Sequence, residues 1–145
     1  MLVNQILSIK DNTSVVTIKP TATVSDAVRL LSERRIGAVV VSENGSTPLG
    51  ILSERDIVRE LGRRGAAALE LEIGELMTRK LMTCTTGENA LRVLERMTEG
   101  RFRHLPVVDE NGEMIGLVSI GDAVSGRLKE LALESEALKN MIMGT

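Results

Sequence analysis

Residues 50–58 read Gly-Ile-Leu-Ser-Glu-Arg-Asp-Ile-Val, and residues 116–124 read Gly-Leu-Val-Ser-Ile-Gly-Asp-Ala-Val. Each copy predicts a short apolar strand that runs directly into a helix, with Ser53 or Ser119 as the N-cap. Asp56 or Asp122 follows three residues later. At such a junction, the first amide groups of the helix and the positive end of its dipole lie beside a hydroxyl and a carboxylate. The pattern therefore predicts two small anion sites.

The composition excludes several classes of protein. The chain has 145 residues, with 18 Lys and Arg against 20 Asp and Glu, and its formal net charge is −2. This balance argues against binding to a nucleic-acid backbone, which requires a basic face. Phe102 is the single aromatic residue among Phe, Trp and Tyr, which argues against stacking of single-stranded bases. We expect a bound purine to lie between aliphatic side chains instead.

Metal, disulfide and membrane chemistry are not indicated either. The chain contains one Cys, Cys84, and one His, His104, so it forms no internal disulfide and has no zinc-type ligand set. No apolar run predicts a membrane span, and the first ten residues do not resemble a signal peptide. We therefore expect a cytoplasmic protein with no membrane or nucleic-acid partner, no metal site and no catalytic cofactor.

The order strand, helix, strand, strand, helix is predicted twice along the chain. The first half has a short helix at Leu2–Leu7, a strand at Ser14–Ile18, a helix capped by Thr23, and strands at Ile36–Val41 and Leu49–Leu52. The second half has a strand at Leu81–Cys84, a helix capped by Thr86, and strands at Arg103–Val108 and Met114–Val118. Aligning Ala27 with Ala90 offsets the helices by 63 residues, whereas the strands are offset by 66. The difference predicts three extra residues near Glu99–Arg101.

The repeats also predict how the chain is divided. We assign residues 1–65 to the first repeat, 66–80 to a connector with a short helix, 81–128 to the second repeat and 129–145 to a C-terminal helix extension. The last helix carries an apolar stripe that includes Val124, Leu128, Leu131 and Leu138. Such a long stripe predicts a dimer interface, with fraying of the last turns as the alternative.

Two ordered copies of this unit resemble a tandem pair of cystathionine β-synthase (CBS) domains, the Bateman module. The resemblance rests on the duplicated Gly-(Ile/Leu)-(Leu/Val)-Ser-x-x-Asp and on Phe102–Asp109 before Asn111-Gly112, and it covers about residues 1–128. It implies a mixed α+β fold of two pseudo-two-fold-related β-α-β-β-α repeats, with sheets packed face to face and helices outside. It also implies a homodimer and two clefts for adenosine derivatives such as AMP, ADP, ATP, NAD or S-adenosylmethionine.

The resemblance further implies a role for each residue of the clefts. Asp56 and Asp122 would accept hydrogen bonds from ribose hydroxyls, and Ser53 and Ser119 would donate to phosphate. The backbones of Ile18, Lys19, Thr83, Cys84 and Thr85 would read the adenine edge, and Gly37, Ala38, Val39, His104, Leu105 and Pro106 would form the opposite wall. Arg55 in the first helical turn is placed to bind a phosphate, and Lys19 and Arg103 are further candidates. Because Gly121 replaces Arg55 in the second copy, we expect the two clefts to differ.

Three functional hypotheses follow, beside the simpler interpretation of Ser-x-x-Asp as an ordinary capping box. The leading one is a non-enzymatic sensor that binds AMP or another adenine nucleotide, including NAD or NADH, and signals to an unidentified effector protein. The alternative is a structural or interaction homodimer with vestigial clefts. A nucleotide-processing enzyme is disfavoured, because the chain has no glycine-rich phosphate loop and His104 has no catalytic partner at a recognisable spacing.

Overall fold

The computed structural model describes residues 1–10 and 15–144. In chain order its elements are α1 (Val3–Ile9), β1 (Thr17–Ile18), α2 (Val24–Arg34), β2 (Ala38–Val41), β3 (Gly50–Ser53), α3 (Glu54–Arg64), a 3₁₀ helix (Gly65–Glu70), α4 (Ile73–Leu76), α5 (Ala90–Gly100), β4 (His104–Val108), β5 (Met114–Ser119) and α6 (Ile120–Ile142). The expected mixed α+β fold is confirmed, with one small sheet in each half of the chain. Over these described ranges, no helix combines the length and apolar character that crossing a membrane requires.

Each sheet is built around an antiparallel pair of strands. β2 and β3 pair with Ala38 opposite Ser53, and β4 and β5 pair with His104 opposite Ser119. β1 joins the free edge of β2 as a parallel strand, so the first sheet has three strands and the second has two. The two junctions at Ser53 and Ser119 therefore occupy equivalent positions, each at the end of its sheet's last strand.

The opening strands of both repeats are shorter than predicted. β1 comprises Thr17–Ile18, and the predicted start at Ser14 lies outside the described residues. The predicted strand at Leu81–Cys84 is wrong. Within Leu81–Cys84, the backbone of Cys84 forms an isolated parallel bridge with Val107 of β4. Its N–H donates to Pro106 O, and its carbonyl accepts the N–H of Val108.

A constant spacing of 66 residues relates the two halves. α2 and α5 each have 11 residues and end at an arginine with positive φ, Arg35 or Arg101. The N-cap of α5 is Asn89, whose side chain accepts a backbone N–H of the first turn at 2.8 Å, so the prediction of Thr86 was wrong. Because α5 begins after Asn89, the predicted helix offset of 63 residues and the predicted three extra residues near Glu99–Arg101 are also wrong. Apolar residues recur every three or four positions along a helix, so a shift of three preserves the buried face.

The two halves exchange their leading helices. Val3 of α1 is fully buried in the hydrophobic core of the second half, beside Leu105 and Val118. Ile73 of α4 is fully buried in the core of the first half, beside Leu52. Two backbone hydrogen bonds of 2.8 Å hold α1 in the second half: Val3 N–H donates to Glu88 O, and Ala90 N–H donates to Met1 O. Two matching bonds of 2.9 Å hold α4 in the first half: Ile73 N–H donates to Ala22 O, and Val24 N–H donates to Leu71 O. Each half is therefore completed by a segment that precedes the other.

Gly50 and Gly116 let the exchanged segments approach the sheets closely. A Cβ at Gly50 would lie 2.7 Å from Met77 Sδ and 2.8 Å from Thr78 O. A Cβ at Gly116 would lie 2.8 Å from the side chain of Leu7. Packing thus accounts for the glycine that begins each copy of the duplicated signature.

The predicted long C-terminal helix is confirmed as α6, which runs for 23 residues. Every described residue from Leu131 onwards is exposed. Leu138 and Ile142 on its apolar stripe are 58% and 77% exposed. The second half of α6 therefore presents apolar side chains that the other described residues, 1–10 and 15–130, leave uncovered.

Candidate functional site

The first strand-to-helix junction is closed by a reciprocal capping box. Asp56 Oδ2 accepts the backbone N–H of Ser53 at 2.9 Å and the Ser53 hydroxyl at 3.0 Å, and Asp56 N–H donates to Ser53 Oγ at 3.3 Å. Glu54 N–H donates to Gly37 O at 2.9 Å. Two of the first three amides of α3 are therefore occupied, and the Ser53 hydroxyl is directed to Asp56. The backbone anion site expected from the sequence is largely satisfied internally.

A cavity of about 380 Å³ opens beside this junction, between the two halves of the chain. Its lining residues are Gly37, Ile51, Ser53, Glu54, Arg55, Asp56, Arg59, Thr78, Leu81, Met82, Gly100, Arg101, Phe102, Arg103 and His104. We call this cavity the first cleft. Its volume falls within the range of small-molecule sites, about 300–1,000 Å³. The first half supplies the Ser53–Asp56 junction, and the second half supplies the facing wall from Gly100 to His104.

The first cleft is rich in guanidinium groups. Four arginines line it, and they outnumber the two carboxylates: Arg55, Arg59, Arg101 and Arg103 against Glu54 and Asp56. Arg59 Nη1 lies 3.4 Å from Asp56 Oδ1, and the side chain of Arg59 is 66% exposed. Guanidinium groups bind phosphate with paired hydrogen bonds. Side chains rather than free helix amides thus make this cleft suitable for an anion.

The facing wall carries the chain's only Phe and only His. The ring of Phe102 packs against Gly100, where an added Cβ would lie 2.5 Å from ring carbons. Phe102 lines the cleft, so this wall offers an aromatic ring beside the aliphatic side chains that we expect to contact a purine. Burial lowers the pKa of His104; Lys10 and Arg103 lower it further, and the Asp122 carboxylate opposes the change. The imidazole is therefore neutral at pH 7 and is better suited to form a wall than to neutralise a phosphate.

The second junction repeats the capping box but has a different partner for its carboxylate. Ser119 N–H donates to Asp122 Oδ2 at 2.9 Å, and Asp122 N–H donates to Ser119 Oγ at 3.1 Å. Lys10 Nζ also donates to Asp122 Oδ2, at 2.8 Å. Burial raises the pKa of Asp122, but the hydrogen bonds from Lys10 and from the Ser119 backbone outweigh this effect and leave the pKa below its ordinary value. The Asp122 carboxylate is therefore ionised and held by the chain's own ammonium group.

Six of the residues predicted for the site line the first cleft: Gly37, Ser53, Arg55, Asp56, Arg103 and His104. Ser119 and Asp122 lie at the other junction. The predicted wall residues Ala38, Val39, Leu105 and Pro106 are buried within β2 and β4 and do not line the first cleft. The first cleft thus brings the first junction together with two predicted residues of the second repeat, Arg103 and His104.

The residues predicted to read an adenine edge are not among those that line the first cleft. Ile18 O accepts Ser42 N–H at 2.9 Å, and Lys19 is exposed beyond β1. Thr83 O accepts the Arg96 guanidinium at 2.6 Å, and Thr85 N–H donates to Glu88 at 2.7 Å. Cys84 is buried in the second core, as expected of a packed thiol, and burial raises its pKa to about 12. These backbones are mostly committed to contacts within the chain.

Sequence reasoning missed nine lining residues, which are Ile51, Glu54, Arg59, Thr78, Leu81, Met82, Gly100, Arg101 and Phe102. Arg59 had a usable signal, because it follows Arg55 by one helical turn and shares its face. Arg101 and Phe102 follow α5, and their position depends on how the second half faces the first. Among the described residues, no group of three or more His, Cys, Asp or Glu is arranged to hold a metal ion.

Comparison with known proteins identifies the family of the chain. The family model for the CBS domain matches two segments, residues 6–63 and 73–128. The chain belongs to the CBS domain family. It is a CBS-domain pair, and each matched segment contains one of the two strand-to-helix junctions, at Ser53 or at Ser119. The mitochondrial CBS domain-containing protein CBSX3 of Arabidopsis thaliana is 38% identical over 126 residues, which cover 84% of this chain and 61% of that protein.

Solved CBS-domain structures have the same fold. A CBS-domain containing protein from Agrobacterium tumefaciens matches with a TM-score of 0.81 at 38% identity, covering 88% of this chain and 99% of that one. A CBS domain protein from Pyrobaculum aerophilum, solved in complex with AMP, matches with a TM-score of 0.78 at 26% identity, covering 93% and 99%. This chain spans 61% of the length of CBSX3 and 24% of another Arabidopsis relative, CBSCBSPB2.

Proposed function

We propose that this CBS-domain pair is a non-catalytic sensor that binds an adenine nucleotide in the first cleft. AMP is the leading candidate, and ADP, ATP, NAD and NADH are the other nucleotides to be compared. The bound nucleotide would alter how the two repeats pack, and an effector protein would respond to the altered surface. The compartment in which this takes place, which we expect to be the cytoplasm, is part of the same proposal.

The observation that carries the proposal is the pairing of Asp56 with arginines across one cavity. An ionised carboxylate only accepts hydrogen bonds, so it suits the two hydroxyls of a ribose. Arg55 and Arg59 belong to the first repeat, and Arg101 and Arg103 belong to the second. A nucleotide carries a diol and a phosphate, and the cleft is lined by an acceptor for the diol and by several cations for the phosphate. The AMP complex of the Pyrobaculum relative supports the choice of adenine nucleotide.

Signalling follows from the shared walls of the cleft. A ligand shifts an equilibrium between two packing arrangements only through its different affinity for them. Because both halves line the cleft, a bound phosphate contacts arginines whose separation changes whenever one half moves against the other. The ligand would therefore favour the arrangement in which these arginines converge.

A thermal-shift panel with AMP, ADP, ATP, NAD, NADH and S-adenosylmethionine tests the proposal. A ligand at a hundredfold excess over its Kd stabilises the native state by about 2.7 kcal/mol, which corresponds to a rise of roughly 5–10 °C for a chain of this size. We expect such a rise with at least one adenine nucleotide and none with inorganic phosphate alone. No rise with any of the six compounds would contradict nucleotide binding, and steady consumption of a nucleotide would contradict the non-catalytic assignment.

The exposed stripe of α6 favours a second candidate function, that of an interaction homodimer. Leu128, Leu131 and Leu138 are 62%, 43% and 58% exposed, although they follow one face of the helix. We expect Leu131→Glu to halve the mass measured by light scattering, because it places a charge in the apolar contact. Ala137→Glu adds the same charge to the opposite face and serves as the control. An unchanged mass for Leu131→Glu would argue against pairing through this stripe.

A further inference from the structure

Lys10 occupies a defined position at the end of α1. Its ammonium group donates to Asp122 Oδ2 and to Leu117 O, both at 2.8 Å. Lys10 is 30% exposed and Asp122 is 23% exposed, so this ion pair is partly withdrawn from water. A charge-assisted pair with a second hydrogen bond to a backbone carbonyl is held in one geometry more firmly than a surface pair.

Among the residues that the structure describes, none makes an equivalent arrangement with the carboxylate of the first cleft, Asp56. Ile51 O, the counterpart of Leu117 O, accepts the backbone N–H of Thr78 at 2.9 Å instead of an ammonium group. Asp56 is approached by Arg59 at 3.4 Å from a side chain that is largely in solvent. The two carboxylates have different partners because the exchanged helices differ in length. α1 has seven residues and its C-cap is Lys10, whereas α4 has four residues and the chain beyond it pairs with β3 at Thr78.

The space beside Asp122 also differs from the first cleft. A cavity of about 260 Å³ lies there, with walls from the N-terminal segment and α6, including Ile6, Lys10, Ser125 and Lys129. The first cleft, by contrast, has walls from the Ser53–Asp56 junction of one half and from the segment between α5 and β4 of the other. A ligand in the 260 Å³ cavity would therefore contact the N-terminal segment and α6 instead of a wall such as Gly100–His104.

We infer that Lys10 is an internal counter-ion that holds the Asp122 carboxylate in place of a ligand diol, so that each chain binds nucleotide in the first cleft alone. This inference rests on the proposed nucleotide binding and adds its stoichiometry. A ribose diol that uses Asp122 Oδ2 has to compete with the Lys10 ammonium group and with the Ser119 N–H, which both donate to that oxygen. Lys10 is thus the residue that makes the two duplicated junctions unequal in binding.

Equilibrium dialysis with radiolabelled AMP counts the sites directly. We expect the wild-type chain to bind one equivalent and Lys10→Met to bind two, with the second equivalent lost in the double variant Lys10→Met/Asp122→Asn. Lys129→Met removes the same charge from the same cavity and should leave one equivalent. Two equivalents in the wild type, or one in Lys10→Met, would overturn the inference while nucleotide binding stands. No binding in any of the chains would overturn both proposals.

The single histidine supplies a readout that needs no nucleotide. His104 is influenced by Asp122, Lys10, Arg103 and Glu54. If Lys10 neutralises Asp122, then removing Lys10 leaves an unpaired carboxylate near the imidazole, and the His104 pKa rises. We expect an NMR titration of the ring protons to move to higher pH in Lys10→Met and to stay in place in Lys129→Met. Equal titration curves for the wild type and Lys10→Met would mean that the ion pair does not form in solution, and would overturn the inference.

Discussion

In the first cleft, Asp56 faces a cavity shared by both repeats, with Arg55 and Arg59 on its own helix. At the second junction, the same capping box holds Asp122, but Lys10 from the start of the chain donates to that carboxylate at 2.8 Å. The backbone geometry of the two junctions is almost the same, so the capping box alone does not determine what a junction binds. Segments that cross from the other half determine it, since α1 delivers a cation and the chain after α4 delivers a backbone amide.

The largest expected effect is a loss of nucleotide binding when Asp56 loses its charge. Asp56→Asn keeps an oxygen that can accept the Ser53 N–H, so the helix cap is preserved while the ionised acceptor is lost. A hydrogen bond to a charged group contributes about 1.5–3 kcal/mol, and we therefore expect AMP to bind roughly 10- to 100-fold more weakly by calorimetry. Asp122→Asn is the matched control and should change the affinity less than twofold. Equal losses in the two variants would mean that the clefts are equivalent.

The next effect concerns the glycine that lets each exchanged segment cross its sheet. Gly50→Ala places a methyl group 2.8 Å from the backbone oxygen of Thr78, whereas Gly116→Ala meets only the flexible end of Leu7. Overpacking costs about 1–3 kcal/mol, and we expect Gly50→Ala near the upper end and Gly116→Ala near the lower end. Urea unfolding measures both free energies.

Gly62→Ala controls for the intrinsic effect of alanine. Gly62 lies in α3, and a Cβ there would meet no atom within 4 Å. Alanine should stabilise that helix by roughly 0.5–1 kcal/mol. If Gly50→Ala were as well tolerated as Gly62→Ala, close crossing would not explain the glycine that begins the duplicated signature.

Local features of the fold were predictable from the sequence because neighbouring residues determine them. The caps at Thr23, Ser53 and Ser119 each require one side chain and an amide three residues away, and all three are present. The cap of α5 was not predictable in this way. Thr86 and Asn89 are both good caps, and the backbone oxygens of Thr86 and Glu88 are taken by α1, which leaves Asn89 to cap the helix.

The candidate site was predictable only where it coincides with those local signals. Ser53, Arg55 and Asp56 belong to the duplicated junction and line the first cleft. Phe102 faces that junction from the other repeat, and Lys10 is 112 residues from Asp122 in the chain. A spacing pattern within one repeat carries no information about contacts between repeats. The sequence predicts that the two clefts differ, because Gly121 replaces Arg55, but the contact between Lys10 and Asp122 required the folded chain.

A smaller effect is expected from the wall of the first cleft. Phe102 corresponds to Ile36 at the 66-residue spacing, so Phe102→Ile makes the two walls alike at this position. Aromatic contacts contribute about 0.5–1.5 kcal/mol beyond burial, and we expect AMP to bind roughly 2- to 10-fold more weakly. Ribose 5-phosphate lacks the base and should bind the variant and the wild type equally. An unchanged AMP affinity would place the base away from Phe102.

The smallest expected effect is the pH dependence of stability that arises from His104. Its counterpart in the first half is Ala38, which does not titrate. Burial lowers the pKa of His104 from its ordinary value of 6.5, so the unfolded chain takes up a proton at a higher pH than the folded chain does. The contribution of His104 to stability is therefore constant at pH values well above 6.5, and it falls as the pH drops through 6.5. Asp122 adds nothing in this window, because its pKa is lowered from 3.8 and its contribution is lost only in stronger acid.

Urea unfolding of the wild type and of His104→Gln between pH 7.5 and 5 isolates this contribution, since every other titrating group is common to both chains. The free energy of unfolding of the wild type should fall relative to the variant as the pH is lowered, and the difference should be constant above pH 7.5. A wild type that gains stability relative to His104→Gln in acid would mean that the imidazolium is stabilised by Asp122 and Glu54 more than burial disfavours it. The Lys10 ammonium group would then be too far from Asp122 to neutralise it, and the two clefts would be more alike than their hydrogen bonds indicate.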